Sequence, residues 1–512
     1  MEDQKKKKRL DWIGLVISGG LLVLFVIATR LNKGLVDQLI SDSFSFTVKY
    51  FGAYWQVLLL VMFVIGLILA FSKYGKVRLG KIERPENSNF RWIAMILCTL
   101  LASGGVFWAA AGPMYHFLTT PPQFSGVESG SMESAYPAMA QSYLHWGFSA
   151  WASLGTLTTI VLMYAHYHKD QPLKPRTLLY PMFGRKINKK SFIGSLADIV
   201  SIVAAAAGTI GPIGFLGLQV GYGLQQVFGF SNTFLTQSLI ILFLAVIASI
   251  SAATGVERGI QWLSRINVGL VVVLMVIMLI LGPTMFIIDL FIGSEAFYIQ
   301  NFLTMSLYRL DEAWLGAWII FFWGWFIGYG PMMAIFISRI SRGRTIRELI
   351  IAVSLIAPIV SNFWFTVVGG SGIFYEMEKP GSVSTALNES GMPAAVMAIL
   401  NQIPMGIVLA IGFIIVSVIF VATTADSMSY TVAVTLSGSD EPDRFNRVFW
   451  ALMFGIVAVA LLAIGGESTV GTLQNFIVVT AAPVSLLLLP SLWDAPRIAA
   501  RMAKEQNIVE KK

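Results

Sequence analysis

The sequence predicts an all-α polytopic membrane protein with twelve transmembrane helices, and three observations lead to that class. The chain has 512 residues, of which 56% are hydrophobic and 12% are charged. A soluble domain carries about twice that charged fraction. Apolar stretches long enough to cross a bilayer recur along the whole chain. Basic residues are concentrated in alternate connections between these stretches, as in membrane proteins of fixed orientation.

Each predicted span is a stretch of about 20 mainly apolar residues. The first follows a basic N-terminal segment and has no cleavage site after it, so it is predicted to remain in the protein as a span. The mixed segment 291–314 is predicted to lie as an amphipathic helix on the outer surface. The predicted limits are 12–31, 53–72, 92–118, 143–166, 193–225, 234–253, 267–292, 314–338, 349–375, 404–435, 448–465 and 472–493.

The distribution of basic residues predicts the orientation. Of the 36 Lys and Arg residues, 31 fall on the side of the membrane that holds both termini. The positive-inside rule therefore places both termini in the cytoplasm, in a multi-pass protein of the plasma membrane. Residues 1–11 and 494–512 are predicted to be cytoplasmic tails around a transmembrane domain of residues 12–493. The net charge of +8 is mainly this topology signal and does not indicate nucleic-acid binding.

The motifs of enzymes and of ATP-driven pumps are absent from the sequence. The four histidines form no H-E-x-x-H motif, and no phosphate-binding G-x-x-x-x-G-K-[ST] motif occurs. The glycine-rich segment 208–223 lies in a predicted span, where helix packing explains it better than phosphate binding. We therefore predict neither an enzyme nor a bound cofactor.

Glycine and proline interrupt two predicted spans in a similar way. The third span contains ASGGVFWAAAGPMYHF (102–117) and the eighth contains FFWGWFIGYGP (321–331). The two spans are five apart, which suggests two repeats of inverted topology, about 92–292 and 314–493. Interrupted helices at matching positions predict a binding site near the middle of the membrane, where unwound backbone faces a cavity.

Aromatic residues cluster beside these interruptions. Trp and Tyr ring faces attract cations by about 0.5–2 kcal/mol each, and a quaternary ammonium suits such a site because it donates no classical hydrogen bond. The alternative is that the rings fill the core or form a belt at the membrane interface. The candidate binding residues are Trp323, Trp325, Phe326 and Tyr329 of the eighth span, Trp146 and Trp151 of the fourth, and Tyr115 of the third.

The tenth span contains the polar sequence FVATTADSMS (420–429). Hydroxyl groups within a membrane helix commonly bond carbonyls of the preceding turn, which is the structural interpretation of Thr423 and Thr424. The same oxygens could instead hold Na⁺ together with backbone carbonyls. Asp426 is costly within a membrane and is expected to have a partner.

The chain resembles the betaine/carnitine/choline transporter family over essentially its full length. The segment RISRGRTIRE (339–348) is close to a family signature, and FFWGWFIGYGP before it looks like the family's tryptophan-rich segment. HWGFSAW (145–151), GIQWLSRIN (259–267) and TTADS (423–427) follow the family's order and spacing. The resemblance implies a LeuT-type fold, with inverted repeats of helices 3–7 and 8–12 after two extra helices, and a homotrimer.

The resemblance also implies roles for individual residues. It places Trp146, Trp151, Trp325, Phe326 and Tyr329 at the substrate, with Trp323 nearby, and it matches Tyr115 to a tyrosine of carnitine-type members. It further assigns a sodium site to Thr423, Thr424 and the Phe420 carbonyl, and part of a second sodium site to Thr209.

Some positions depart from the family pattern. Phe326 stands where Trp is usual, and Ala205 replaces a threonine of the second sodium site. Asn267 stands where sodium-independent exchangers carry an Arg, which favours sodium coupling. Met333, in contrast, matches a methionine that those exchangers use.

The sequence therefore predicts a secondary active transporter that imports a quaternary-ammonium solute of the glycine betaine, carnitine or choline type. Coupling to Na⁺ and alternating access are expected, with the small solute and membrane lipid as partners. Two alternatives remain open. One is a sodium-independent exchanger or proton-coupled transporter of the same fold, and the other is a transporter-like solute sensor.

Overall fold

The computed structural model describes residues 10–100, 104–189, 191–254, 257–438 and 442–509, and this part of the chain is almost entirely helical. The only extended pairing within these ranges is an isolated antiparallel bridge between Arg78 and Thr345. A helix pairs its backbone N–H and C=O groups within its own segment, which a chain surrounded by lipid requires. The predicted all-α class is confirmed.

The described residues of the first half of the chain form both long and short helices, and the last of them, α12, begins directly after a Gly-Pro pair. A π-helical turn, Tyr164–His168, extends α7. The helices are α1 (Trp12–Leu31), α2 (Lys33–Phe71), α3 (Asn89–Leu100), α4 (Gly104–Leu118), α5 (Met132–Trp146), α6 (Phe148–Gly155), α7 (Leu157–Met163), α8 (Tyr180–Phe183), α9 (Phe192–Phe228), α10 (Phe234–Thr254), α11 (Glu257–Leu281) and α12 (Thr284–Ser306).

The second half has the same character, with π-helical turns that join successive helices of one span. These turns are Gly316–Ile320, Ala352–Ile356 and Thr366–Gly370. The helices are α13 (Glu312–Leu315), α14 (Phe321–Ile340), α15 (Ile346–Ile351), α16 (Ala357–Phe365), α17 (Ser371–Glu378), α18 (Ser384–Ser390), α19 (Ala395–Leu400), α20 (Gly406–Ser437), α21 (Arg444–Gly465), α22 (Thr469–Leu488) and α23 (Ser491–Glu505).

The described residues contain 11 helices, some joined through short turns, that are long and apolar enough to cross a membrane. The predicted third span, 92–118, is described as α3 and α4, and residues 101–103 between them lie outside the described ranges. The predicted seventh span, 267–292, has the wrong limit, because α11 ends at Leu281 before Gly282 and Pro283. Pro283 has no N–H to continue the helix, so α12 starts at Thr284 and not at 291 as predicted.

The predicted unwinding of the eighth span is wrong, and so is the predicted interruption of the third span at Gly112 and Pro113, because α4 continues through both residues to Leu118. The helix α14 runs without a break from Phe321 to Ile340, through its three glycines and Pro331. A Cβ added at Gly324 would lie 2.7 Å from Cζ3 of Trp55. This glycine therefore allows α2 to approach α14 closely, which is a packing role and not a conformational one.

An interruption occurs instead in the fourth span, where the sequence did not predict one. The helices α5 and α6 are separated by Gly147, and α6 and α7 are separated by Thr156. A Cβ at position 147 would lie 2.1 Å from the carbonyl oxygen of Tyr143, so only glycine fits the backbone at this point. The first interruption directly follows Trp146.

The C-terminal segment that was predicted as a tail is mostly helical and packs against the rest of the protein. One face of α23 is buried, including Ala495, Ala499 and Met502. Just beyond it, the side chain of Gln506 bonds the backbone of Arg78 twice: it accepts from the N–H at 2.9 Å and donates to the carbonyl at 2.7 Å.

Candidate functional site

The helix α14 lies at the centre of the molecule and presents an aromatic face. It packs against α6, α9 and α22. Phe322, Trp325, Phe326 and Tyr329 are spaced three, four and seven residues apart, so they lie on one side of the helix. All four are buried, with exposed fractions between 1% and 8%. The face is directed into the protein and not towards lipid.

Trp146, the last residue of α5, meets this face. Its ring centroid lies 5.7 Å from that of Trp325 and 5.4 Å from that of Phe326. Phe322 lies 5.8 Å away, and Phe365 of α16 approaches from another side at 5.4 Å. We call these five residues, Trp146, Phe322, Trp325, Phe326 and Phe365, the ring cluster.

The helix α9 holds two of these α14 side chains in place. The indole N–H of Trp325 donates to the carbonyl of Gly208 at 3.1 Å. The hydroxyl of Tyr329 is 2.8 Å from Oγ1 of Thr209. The hydroxyl of Thr209 donates to the carbonyl of Ala205. These hydrogen bonds fix the orientations of Trp325 and Tyr329, because both side chains are buried and polar atoms there need partners.

Two glycines allow backbone to approach the rings. A Cβ added at Gly104 of α4 would lie 2.4 Å from Cη2 of Trp325 and 2.8 Å from Cη2 of Trp146. A Cβ added at Gly208 would lie 2.2 Å from Cε2 of Tyr329. The rings therefore rest directly on the backbones of two other helices.

The other predicted aromatic residues are not joined to the ring cluster. Trp151 and Trp323 are fully buried, but no ring contact in the described part of the chain links either of them to it. Tyr115 packs against Trp318 with centroids 4.6 Å apart, and Trp318 lies 6.4 Å from Phe322 of the cluster, so Tyr115 is one ring removed from it. Thus Trp146, Trp325, Phe326 and Tyr329 come together and Trp151, Trp323 and Tyr115 do not join them. Substrate contact by all seven residues stays a prediction.

Two of the three hydroxyl groups predicted to bind sodium, those of Thr423 and Thr209, donate to backbone carbonyls in this structure. Oγ1 of Thr423 donates to the carbonyl of Ile419 at 2.8 Å and lies 3.3 Å from that of Phe420. Thr424 is partly buried on the same helix. Thr209, on α9, is bonded to Tyr329 as described above. The described residues contain no group of three or more His, Cys, Asp or Glu side chains that could hold a metal ion.

Asn267 of α11 adds an oxygen close to this part of α20. It is fully buried, and its amide N–H donates to the carbonyl of Val416 at 3.3 Å, one turn before Phe420. Its Oδ1 atom has no hydrogen-bond partner among the described residues. A buried, unpaired carbonyl oxygen is a potential ligand for a cation.

Asp426 has the partner that its position in a membrane helix requires. Its carboxylate lies 3.2 Å from Nη2 of Arg447 on α21, and both side chains are 7% exposed. The guanidinium also lies over the ring of Tyr430, 5.3 Å from its centroid. This network joins α20 to α21 and is a structural feature rather than part of the ring cluster.

Sequence reasoning missed several residues of the site. Phe322 could have been found, because it precedes Trp325 by three residues on the same helix face. Phe365 carries no such signal, since it lies in an ordinary apolar segment of another span. Gly208 was recognised only as a packing glycine of the segment 208–223, without its contact to Tyr329.

The described residues form 11 helices that could cross a membrane, with buried rings gathered between several helices, which is consistent with a polytopic membrane transporter. The family model described as betaine/carnitine/choline family transporter matches residues 15–504. The chain belongs to this family.

Curated relatives agree with this assignment. The chain is 51% identical to "Glycine betaine transporter 2" of Vibrio parahaemolyticus over 504 residues, 98% of this chain and 93% of the relative. It is 32% identical to "Ectoine/hydroxyectoine transporter" of Virgibacillus pantothenticus, over 90% of this chain and 91% of the relative. It is 31% identical to "Glycine betaine transporter OpuD" of Bacillus subtilis, over 98% and 95%. These relatives indicate solute transport and not catalysis.

Proposed function

We propose that this protein is a secondary active transporter that imports glycine betaine or a closely related quaternary-ammonium solute in symport with Na⁺. The observation that carries the proposal is the ring cluster, in which the ring centroid of Trp146 on α5 lies 5.7 Å from that of Trp325 and 5.4 Å from that of Phe326 on α14. Aromatic faces in a water-excluded site are the usual recognition element for methylated ammonium groups. The names of the relatives support the same substrate class.

The two ends of such a solute need different surroundings. The ammonium end would lie against Trp146, Trp325 and Phe326. The carboxylate end would meet backbone near Gly104, where the missing side chain lets a ligand approach the main chain. The rings now pack edge to face on each other, with Trp146 and Trp325 inclined by 79°. Binding would therefore move at least one ring aside.

The site lies where the two predicted repeats meet. Trp146 and Gly208 belong to the first repeat, and Trp325, Phe326 and Phe365 belong to the second. A twelve-span arrangement of the LeuT type would place substrate at this boundary, and alternating access would follow from the movement of one group of helices against the other. We also propose that the protein forms a homotrimer in the plasma membrane, with both termini of each chain in the cytoplasm.

Sodium coupling would supply the driving force. Hydroxyl and carbonyl oxygens suit a hard cation, and the candidate ligands are Phe420, Thr423 and Thr424, with Thr209 at a second position. The unpaired Oδ1 atom of Asn267 on α11 supports a cation near α20. The amide nitrogen of the same side chain bonds the carbonyl of Val416, one turn before Phe420. Moving one charge through 100 mV contributes about 2.3 kcal/mol, and a tenfold ion gradient adds about 1.4 kcal/mol. One Na⁺ per solute would sustain accumulation on the order of several hundredfold.

Uptake of radiolabelled glycine betaine into proteoliposomes tests this proposal. Replacing external Na⁺ by K⁺ at constant membrane potential should abolish uptake. Undiminished uptake in K⁺ would exclude sodium coupling and favour the exchanger or the proton-coupled transporter. Binding without any uptake, under every gradient, would favour the sensor. Competition by unlabelled glycine betaine, choline, carnitine and ectoine would identify the preferred solute.

A further inference from the structure

Three fully buried polar side chains lie directly beside two rings of the ring cluster, and the solute binding proposed above does not use them. Tyr143 precedes Trp146 on α5 by three residues, and Thr366 directly follows Phe365. The third, Asn362, lies one turn before Thr366 on α16. Buried polar groups are costly unless they bond one another, so their partners indicate what these side chains hold in place.

The three residues form one hydrogen-bonded path between α5 and α16. The hydroxyl of Thr366 donates to the carbonyl of Asn362 at 2.8 Å. A threonine hydroxyl has only one proton, so in its bond with Tyr143 the tyrosine hydroxyl is the donor. The path ties the segment that carries Trp146 to the segment that carries Phe365, and the centroids of these two rings are 5.4 Å apart.

The path ends at a carboxylate on α12. Nδ2 of Asn362 donates to Oε1 of Glu295 at 2.7 Å. Glu295 is partly buried, and within the described ranges it forms no ion pair. A hydrogen bond to an ionised acceptor is about twice as strong as one between neutral groups. The carboxylate therefore restrains Asn362 and, with it, the part of α16 that carries Phe365.

The same helix also contacts the segment that follows Trp146. Tyr298, three residues after Glu295, lies on the same side of α12. Its ring stacks on that of Phe148, the first residue of α6, with centroids 5.2 Å apart. No ring contact in the described part of the chain joins Tyr298 to the ring cluster itself. One face of α12 thus holds the segments beside Trp146 and Phe365 from outside the cluster.

We propose that Glu295 is a positioning residue, which sets the spacing of Trp146 and Phe365 through the hydrogen-bonded path without touching the solute. This inference rests on the proposed function, because it concerns the affinity of the ring cluster for a methylated ammonium. A cation–π contact weakens when the ring moves away from the cation, so a small shift between the two segments lowers the affinity. A helix outside the ring cluster thereby determines how closely its rings surround the solute.

The affinity of Glu295→Leu for glycine betaine, measured by isothermal titration calorimetry on the purified full-length protein, tests the proposal. We expect a loss of about fivefold or more, because the amide of Asn362 loses its charged acceptor. Glu295→Gln keeps a carbonyl oxygen that accepts from this amide and should recover part of the affinity. The matched control, Asp289→Leu, removes an exposed carboxylate from the same helix and should bind like wild type. Wild-type affinity in a folded Glu295→Leu variant would overturn the proposal.

Tyr143→Phe cuts the path at its other end by removing one hydroxyl, and it decides the question if Glu295→Leu does not fold. It should also lower the affinity, and wild-type affinity here would equally overturn the proposal. In a Phe365→Leu background, either variant should cause a smaller further loss, because one of the two positioned rings is gone. Losses that simply add would show that the path acts independently of Phe365, against the proposal.

A measurement without solute separates this proposal from the proposed function. Fluorine NMR of para-fluorophenylalanine incorporated in place of Phe365 reports on the neighbouring Trp146 ring. Glu295→Leu and Tyr143→Phe should shift this resonance, and Asp289→Leu should not. A shift in a protein that does not bind glycine betaine would support the positioning role and refute the proposed solute. A resonance that is unchanged in all three variants would overturn the positioning role, whatever the affinity.

Discussion

At the scale of single residues, the site depends on glycines, which have no side chain, as much as on aromatic rings. Trp325 and Tyr329 lie against the backbone of α9, and the closest approach is at Gly208. Any side chain at this position would push Tyr329 away from Thr209 and shift Trp325 from its hydrogen bond with the Gly208 carbonyl. Because α14 carries both rings, one methyl group on α9 would alter the whole aromatic face.

Gly208→Ala is expected to weaken glycine betaine binding by at least about tenfold, since the added Cβ would lie 2.2 Å from Cε2 and 2.4 Å from Cδ2 of Tyr329. Isothermal titration calorimetry of the purified variant measures this change. The control is Gly20→Ala on α1, where an added Cβ meets nothing within 4 Å. Equal affinities in the two variants would show that the position of Tyr329 does not matter for binding.

The pair Asp426–Arg447 makes a prediction about stability. Asp426→Asn should destabilise the protein by about 3–5 kcal/mol, because it leaves a buried guanidinium without its countercharge. The double variant Asp426→Asn, Arg447→Met should recover part of this loss. Unfolding in SDS measures both effects. The half-exposed pair Arg342–Glu86 serves as control, and Glu86→Gln should cost less than about 1 kcal/mol. Equal costs at the two sites would contradict the assignment of a buried network.

At the residue scale, the sequence grouped rings that are close together in the chain, as a cluster beside a glycine break. Trp325, Phe326 and Tyr329 share a face because α14 is unbroken there, and the sequence analysis did not predict this face. Phe365 and Gly208 were not predicted as neighbours of these rings, because their contacts join segments that are far apart in the chain. No local pattern records such contacts.

At the scale of elements, the position of the helix break is the main correction. Glycine can unwind a helix or let a neighbouring helix approach, and both uses leave the same letters in the sequence. In α14 the glycines serve packing, as the contact between Gly324 and Trp55 shows. In the fourth span Gly147 does separate two helices, directly after Trp146.

Gly147→Ala is therefore expected to disturb the fourth span and to displace Trp146. The added Cβ would lie 2.1 Å from the carbonyl oxygen of Tyr143 and 2.6 Å from the hydroxyl oxygen of Tyr298. We expect a lower thermal unfolding midpoint together with loss of glycine betaine binding. Gly112→Ala is the matched control, because its Cβ would lie 3.5 Å from Oγ of Ser142, an ordinary contact. If Gly147→Ala behaved like Gly112→Ala, the break would have no role in positioning Trp146.

At the scale of the whole molecule, composition and hydropathy predicted the class of fold well. Backbone pairing within lipid leaves helices as the natural solution for a chain with this composition, so the all-α class followed directly. The limits of the seventh span failed because hydropathy averages over a window and does not register a single Gly-Pro pair. The helical structure of α23 was missed because its apolar residues occupy only one face.

At this scale we propose that rings from both predicted repeats enclose a methylated ammonium. Binding of glycine betaine to Trp325→Leu and Trp323→Leu, measured by isothermal titration calorimetry, tests this claim most directly. The two tryptophans are two residues apart on α14 and both are buried, but among the described ring contacts Trp325 meets Trp146 and Trp323 does not. We expect Trp325→Leu to lose affinity by at least about tenfold, because a desolvated cation–π contact is removed. Trp323→Leu should stay close to wild type. Wild-type affinity in a folded Trp325→Leu variant, or an equal loss in both, would contradict it.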